Sequence, residues 1–359
     1  MKRNVSFEAL RVIFILFMVF HHLDAFNGLD IPNFSENVKK LCFEGFVGVN
    51  FFFMLSGLGC VLGYKDKLDD KQIISRDFLY NRLAKIYPAY LLFLISSALL
   101  FVHVNIGNIK LFFTHLFMLQ ALPITSNVAF AFNGVAWCVS VSLFFYLVFM
   151  AIHKINFKQC VFYLVFLLVF IGMNMLYHNE DWQVMTAIFY TNPVFRLVDF
   201  LTGMAIGLWF KEHPTRTGST KLQILSFFVF LVFVILGAYK NIPWLYKWGL
   251  WYVFPCALLL IAFYNETKLS KKMFEHKFWL TLSGASMVIF LSHQQILNIF
   301  RIYLPMAKFP MFYEYFWPYG VIGMILIITG FSCLVDKFIT NPLSKYLIKI
   351  KLHSKQNEI

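Results

Sequence analysis

Residues 8–22 read EALRVIFILFMVFHH, and this stretch decides the class of fold. It is apolar but for one acid at its start, one arginine and two histidines, and the DAFNG that follows (24–28) has no small-x-small cleavage pattern. It therefore reads as a retained membrane helix, not a secretory signal. Working outward, further apolar stretches of the length a bilayer crossing needs, roughly 20 residues, follow one after another. Ten candidates emerge, at about 9–26, 44–64, 86–104, 134–152, 160–177, 194–210, 222–240, 246–264, 282–300 and 318–336. The run LFFTHLFMLQAL (111–122) is too short to span and reads as a re-entrant or interfacial helix. Of the 359 residues, 60% are hydrophobic and only 14% charged, and mean hydropathy is +0.68, more apolar surface than a soluble core hides. The sequence predicts an all-α, polytopic membrane protein of about ten transmembrane helices, with N-terminus and C-terminus cytoplasmic. One domain over 1–345 is followed by a polar cytoplasmic tail, 346–359, that ends in KLHSKQNEI.

The charges give the bundle its direction. With an inside N-terminus, most of the 31 basic residues fall in cytoplasmic segments. The outer segments hold only Lys39, Lys40, Lys110, Lys240, Lys247, Arg301 and Lys308, while Arg11 and Arg196 fall inside spans. Alternation of this kind is what the positive-inside rule expects. The net charge of +13 then reflects basic loops against an anionic leaflet of membrane lipids, and no nucleic-acid partner is called for. The six cysteines stand singly, without CxxC or metal spacing, so neither a disulfide framework nor a metal site is implied.

Ionisable groups inside spans are costly and are candidates for function. Arg11 and His22 lie eleven residues apart, so they share a helix face and stand about 16 Å apart along the axis. An imidazole so placed is suited to take and return a proton near neutral pH. The alternative is that Arg11 reaches lipid phosphates and His22 is a satisfied interfacial residue. His21 lies about 100° round the helix and reads as a supporting residue. Arg196 and Asp199, three apart in NPVFRLVDFLTGMAIG (192–207), form either a structural ion pair or a binding site. His293, in GASMVIFLSHQQIL (284–297), is either an interhelical hydrogen bonder or part of a site. In SRDFLYNRLAKIYPAYLL (75–92), Arg76, Arg82 and Lys85 gather at the mouth of the third span. They either hold phosphates of a nucleotide-like ligand or anchor the helix in the ordinary way.

Five of these segments, in order, resemble the acyltransferase 3 family of membrane acyltransferases. EALRVIFILFMVFHH resembles its first helix, and GVNFFFMLSGLG (48–59) its GVDLFFVLSGF helix, with Asn50 where an acid is usual. YNRLAKIYPAY (80–90) is similar to its RRLxRIYPAY run, with Lys85 at an arginine position. The segments at 192–207 and 284–297 are similar to its PLFRLxEFLLGM and GxxSYSIYLxHxPxL. Departures are Ser142 and Leu143 where AWCVSVSLFFYLVF (136–149) meets two usual glutamates, Thr340 in ITNPL for an acid, and Gln295 for a proline.

The resemblance implies transfer of an acyl group, most often acetyl, from cytoplasmic acyl-CoA as donor to a hydroxyl of a surface polysaccharide or lipid-linked glycan, in the cell inner (plasma) membrane. His22 would act as general base or transient acyl carrier, with Arg11 beside its path and Arg76, Arg82 and Lys85 on the donor's phosphates. Trp137, Ser140 and Ser142 are neighbouring candidates for oxyanion donors. Two other readings stand beside this one: a transporter or flippase for a lipid-linked sugar or small solute, and a non-catalytic member of the family.

Overall fold

Among the described residues, eight helices are long and apolar enough to cross a membrane. The computed structural model describes residues 4–24, 35–101, 106–177, 182–214, 217–240, 242–304, 308, 311 and 316–356, and every regular element among them is helical. The main helices are α1 (Val5–Asp24), α2 (Gly48–Cys60), α3 (Ser75–Phe101), α4 (Trp137–Ile152), α5 (Phe157–Tyr177), α6 (Pro193–Glu212), α7 (Thr220–Tyr239), α8 (Val253–Tyr264), α9 (Ser286–Tyr303), α10 (Val321–Val335) and α11 (Asn341–Gln356). Lys2, Arg3, residues 25–28 of DAFNG, Arg216 and residues 357–359 of the expected tail lie outside the described residues.

The ten expected spans correspond to α1–α10; α2, α8 and α10 reach crossing length through helical turns continuous with them (Glu36–Asp69, Lys247–Tyr264 and Pro318–Lys351), and two others fall short of a crossing. Helix α4 has 16 residues, a rise of about 24 Å against a hydrocarbon core of roughly 30 Å. Helix α9 is interrupted in its apolar character by His293, Gln294, Gln295 and Asn298. Those polar groups are matched by protein: the Gln295 amide donates to the Phe93 carbonyl and the Ser97 hydroxyl, both at 2.5 Å, and the Ser96 hydroxyl donates back at 2.8 Å. A helix built this way belongs inside a bundle, where polar side chains find partners that lipid cannot offer.

The centre of the bundle is the pair α2 and α6. The spans that contain them, Glu36–Asp69 and Trp182–Glu212, are 72% and 78% buried, against 22% for α5. Two glycines permit the close crossing. A Cβ on Gly57 would fall on the Phe200 carbonyl, and one on Gly203 on the Met54 carbonyl, so each helix presents bare backbone to the other. A buried ion pair lies beside the crossing. Arg196 Nη2 is 2.7 Å from Asp199 Oδ2, Asn50 Nδ2 donates to Asp199 Oδ1 at 3.0 Å, and Arg196 Nη1 donates to the Trp248 carbonyl at 2.6 Å. Helices α5 and α7 form the outer shell, where Phe162, Phe166, Leu176, Ile224 and Phe228 are exposed, as lipid-facing side chains are.

The run at 111–122 begins in an eleven-residue helix, Ile106–Leu116, too short to span. It is strapped down by Tyr90, whose hydroxyl donates to the His115 carbonyl at 2.6 Å, and by Gln120, which donates to the Ala136 carbonyl at 3.1 Å. At the other end of the chain, α10 runs through a π-helical turn (Asp336–Thr340) into α11, so residues 346–356 begin as helix. That helix lies against α3, with Lys351 Nζ 2.8 Å from Asp77 and the Tyr80 hydroxyl donating to the Leu347 carbonyl at 2.8 Å.

Candidate active site

Helix α1 borders two cavities of similar size, about 320 and 310 Å³. The first is lined by His21 and His22, the second by Arg11. Met18, Val49, Cys138 and Phe290 line both, so the two cavities adjoin across a neck of four apolar side chains. The shared face of Arg11 and His22 thus runs from one cavity to the other.

At the wall of the histidine cavity, α1 and α9 bring together two imidazoles far apart in sequence, His22 lining the cavity and His293 buried behind it. His293 Nε2 is 3.2 Å from His22 Nδ1, with ring centroids 4.9 Å apart. The backbone fixes which nitrogens carry protons. His293 Nδ1 lies 3.1 Å from the Ile289 carbonyl, an acceptor, so in the neutral ring it holds the hydrogen and Nε2 is bare. His22 Nδ1 faces both that bare nitrogen and the Met18 carbonyl, at 3.0 Å, and must be the donor to each. The neutral His22 ring then has its lone pair on Nε2, the form a general base requires. His293 thereby sets the tautomer of His22. His21 is buried beside them, its ring 4.8 Å from that of His22 in an edge-on arrangement.

The second cavity is cationic. Arg11 Nη1 donates to Ser283 Oγ at 3.3 Å and pairs with Glu8 at 3.2 Å, while the Ser283 hydroxyl also donates to Glu8. Arg82 stands opposite in an aromatic setting, its guanidinium carbon 4.6 Å from the Tyr64 ring centroid and 5.3 Å from that of Tyr146. No carboxylate pairs with Arg82 among the described residues, and its only hydrogen-bond partner among them is Cys60 Sγ at 3.4 Å. A guanidinium without a counter-ion, lining a cavity, is a ready partner for phosphate.

The other sequence candidates divide. Arg76 and Lys85 are exposed and line neither cavity. Trp137 lines the histidine cavity. Ser142 lines the arginine cavity, with its hydroxyl donating to the Cys138 carbonyl at 2.8 Å. Ser140 lines neither, and its hydroxyl accepts from the Ala121 N–H at 3.2 Å. Arg196 is buried in its ion pair behind the cavity wall. Of the departures, Thr340 is bound to Asp336 within its own turn at 2.8 Å, and Asn50 supports Asp199.

Sequence reading missed two features. Lys247, expected in an outer loop, is buried with Nζ 2.6 Å from Glu44, which also accepts from the Tyr252 hydroxyl at 2.5 Å. Trp182, Tyr190, Trp244 and Trp248 line the histidine cavity. The available signal was the aromatic density of IPWLYKWGLW (242–251), which also fits an interfacial belt.

Among known families, a model described as an acyltransferase domain matches residues 4–336. Comparison with curated proteins and with solved structures gave no match. Since the family match runs nearly the length of the helical bundle and takes in both arginine-lined and histidine-lined cavities, the chain belongs to the acyltransferase 3 family and is a membrane acyltransferase.

Proposed function

We propose that the protein moves an acyl group, with acetyl the simplest case, from acyl-CoA to a hydroxyl of a carbohydrate, either a surface polysaccharide or its lipid-linked precursor. The observation that carries this reading is the adjacency of two chemically opposite cavities. One end offers Arg11 and Arg82 to an anionic donor, and the other offers an unprotonated imidazole nitrogen to a hydroxyl. The N-terminal, arginine end is the cytoplasmic one in this reading, in keeping with the basic segments that flank it. The phosphates of the donor sit on the guanidiniums, and the flexible pantetheine arm passes the neck at Met18, Val49, Cys138 and Phe290.

His22 Nε2 takes the proton of the acceptor hydroxyl as its oxygen attacks the thioester carbonyl carbon. The tetrahedral intermediate collapses with cleavage of the carbon–sulfur bond, and the thiolate of CoA leaves with the proton that His22 returns. His293 holds the His22 ring through Nδ1, as a positioning residue. Trp137 is the one of the three oxyanion candidates on the wall of this cavity, and its indole N–H is the donor assigned to the developing charge.

The test is release of CoA thiol from acetyl-CoA by purified protein in lipid nanodiscs. Loss of a general base slows transfer by about a hundredfold or more, so His22→Ala is expected to fall by at least that much. A normal rate in His22→Ala would refute the mechanism. A transporter would release no thiol in either form.

A further inference from the structure

Four aromatic side chains form one wall of the histidine cavity. Trp182 and Tyr190 come from the segment leading into α6, and Trp244 and Trp248 from the segment leading into α8. Their rings interleave: Trp182 lies 5.6 Å from Trp244 and 4.7 Å from Trp248, and Tyr190 lies 5.4 Å from Trp248. Tyr190 and Trp248 sit on π-helical turns, Thr186–Thr191 and Lys247–Trp251. Such turns insert an extra residue, re-aim the side chains, and recur at functional sites. Trp248 is further fixed from behind, since its carbonyl accepts from the buried Arg196.

Among the described residues the wall's polar atoms have nothing to bind. Among the described residues no hydrogen bond is made by the indole N–H of Trp182, Trp244 or Trp248, or by the Tyr190 hydroxyl. Of the tryptophans away from the cavity, Trp251 and Trp279 do donate, to the Phe233 and Met273 carbonyls at 3.1 and 3.2 Å. Buried tryptophan N–H groups ordinarily find partners. Trp248 is buried, Trp244 half-buried and Trp182 exposed at the rim, and their three donors and the hydroxyl remain for a ligand that brings acceptors.

The charge of that ligand is constrained as well. Among the described residues no aspartate, glutamate, lysine or arginine lines this cavity, and the ammonium of Lys247, behind Trp244, is matched by Glu44. A carboxylate placed here would lose hydration with no counter-charge in return, and a quaternary amine, though attracted to the ring faces, could not accept from the indole and phenol donors. A neutral pyranose fits both halves of the description: its C–H face packs on indole faces, and its hydroxyl oxygens accept from indole N–H groups.

We infer that the wall of Trp182, Tyr190, Trp244 and Trp248 seats the acceptor and selects an uncharged sugar ring, presented face-on, over acidic sugars and cations. This rests on reading the adjoining cavities as an acyl-transfer path, since that reading makes the ligand an acceptor. Without it the wall is a sugar site of another purpose.

The experiment is saturation-transfer NMR on the full protein in nanodiscs. The probes are methyl glycosides of glucose, galactose, mannose and N-acetylglucosamine, with glucuronate, galacturonate and choline as charged comparisons. At least one neutral glycoside is expected to bind, with strongest transfer at its ring C–H protons and at least ten times more tightly than any charged probe. Trp182→Ala, at a rim position 44% exposed, is expected to weaken that binding about tenfold, the worth of one aromatic contact. Trp248→Phe keeps the face and loses the N–H, and is expected to weaken it as well, while Trp251→Phe outside the cavity leaves it unchanged. Absence of neutral-glycoside binding, equal binding of a uronate or choline, or full binding by Trp182→Ala would each overturn the inference. Thioester consumption separates the two ideas: transfer dependent on His22 without glycoside selectivity sinks the wall alone, and glycoside binding with His22-independent chemistry sinks the transfer reading alone.

Discussion

At the scale of single residues, the site turns on a proton that His22 does not give away. Its Nδ1–H is held by Met18 and His293, which leaves Nε2 to act. If His293 works by accepting that hydrogen, His293→Ala should lower kcat about tenfold, the worth of one hydrogen bond, with the KM for acetyl-CoA unchanged. His293→Gln, whose amide oxygen can also accept, should recover most of the loss. Equal rates in His293→Ala and the native protein, or a change confined to KM, would show that His293 does not orient the base. The Arg11 and His22 relation is legible in sequence because both lie on one helix, whose geometry converts an interval of eleven into a shared face. The His22 contact to His293 is not, since it spans 271 positions and depends on how α1 packs against α9. Arg82 and Lys85 illustrate the same limit. Their spacing predicts a common direction, yet Arg82 lines a cavity and Lys85 is exposed, because neighbouring Tyr64 and Tyr146 enclose only one of them.

At the scale of elements, the crossing of α2 and α6 carries the wall of the site. Gly203 and Gly57 let the backbones touch, and Arg196 links α6 to the turn bearing Trp248. Overpacking a close contact costs about 1–3 kcal/mol, so Gly203→Ala should lower the Tm of the detergent-solubilised protein. Gly330→Ala and Gly172→Ala, where an added methyl meets nothing within 4 Å, should not. An unchanged Tm in Gly203→Ala would mean that the two helices are less closely packed. Gly57 and Gly203 are visible in sequence as small residues in apolar runs, but which glycines meet is a property of the crossing. The two π-helical turns leave no pattern in composition, and the aromatic residues on and beside them read as a membrane-interface belt until the fold turns four of them inward.

At the scale of the molecule, the apolar runs alone define an all-helical membrane protein, because twenty apolar residues in succession have few other uses. The difference lies in α4 and α9. Periodicity and hydropathy locate both, yet neither has the length or apolarity of an independent crossing, and both are placed by partners in the bundle. These two less lipid-like helices supply Trp137, Cys138, Phe290 and His293 to the path.

A donor held on the arginines reaches His22 only if the two adjoining cavities connect. The measurement that tests this most directly is CoA release and acetyl-CoA binding by Val49→Trp, which fills the neck between them. Retained acetyl-CoA affinity shows that the protein has folded with its arginine end intact. The predicted result is that affinity together with loss of thiol release. Normal release with the neck filled would contradict a donor that reaches His22 from the arginine side.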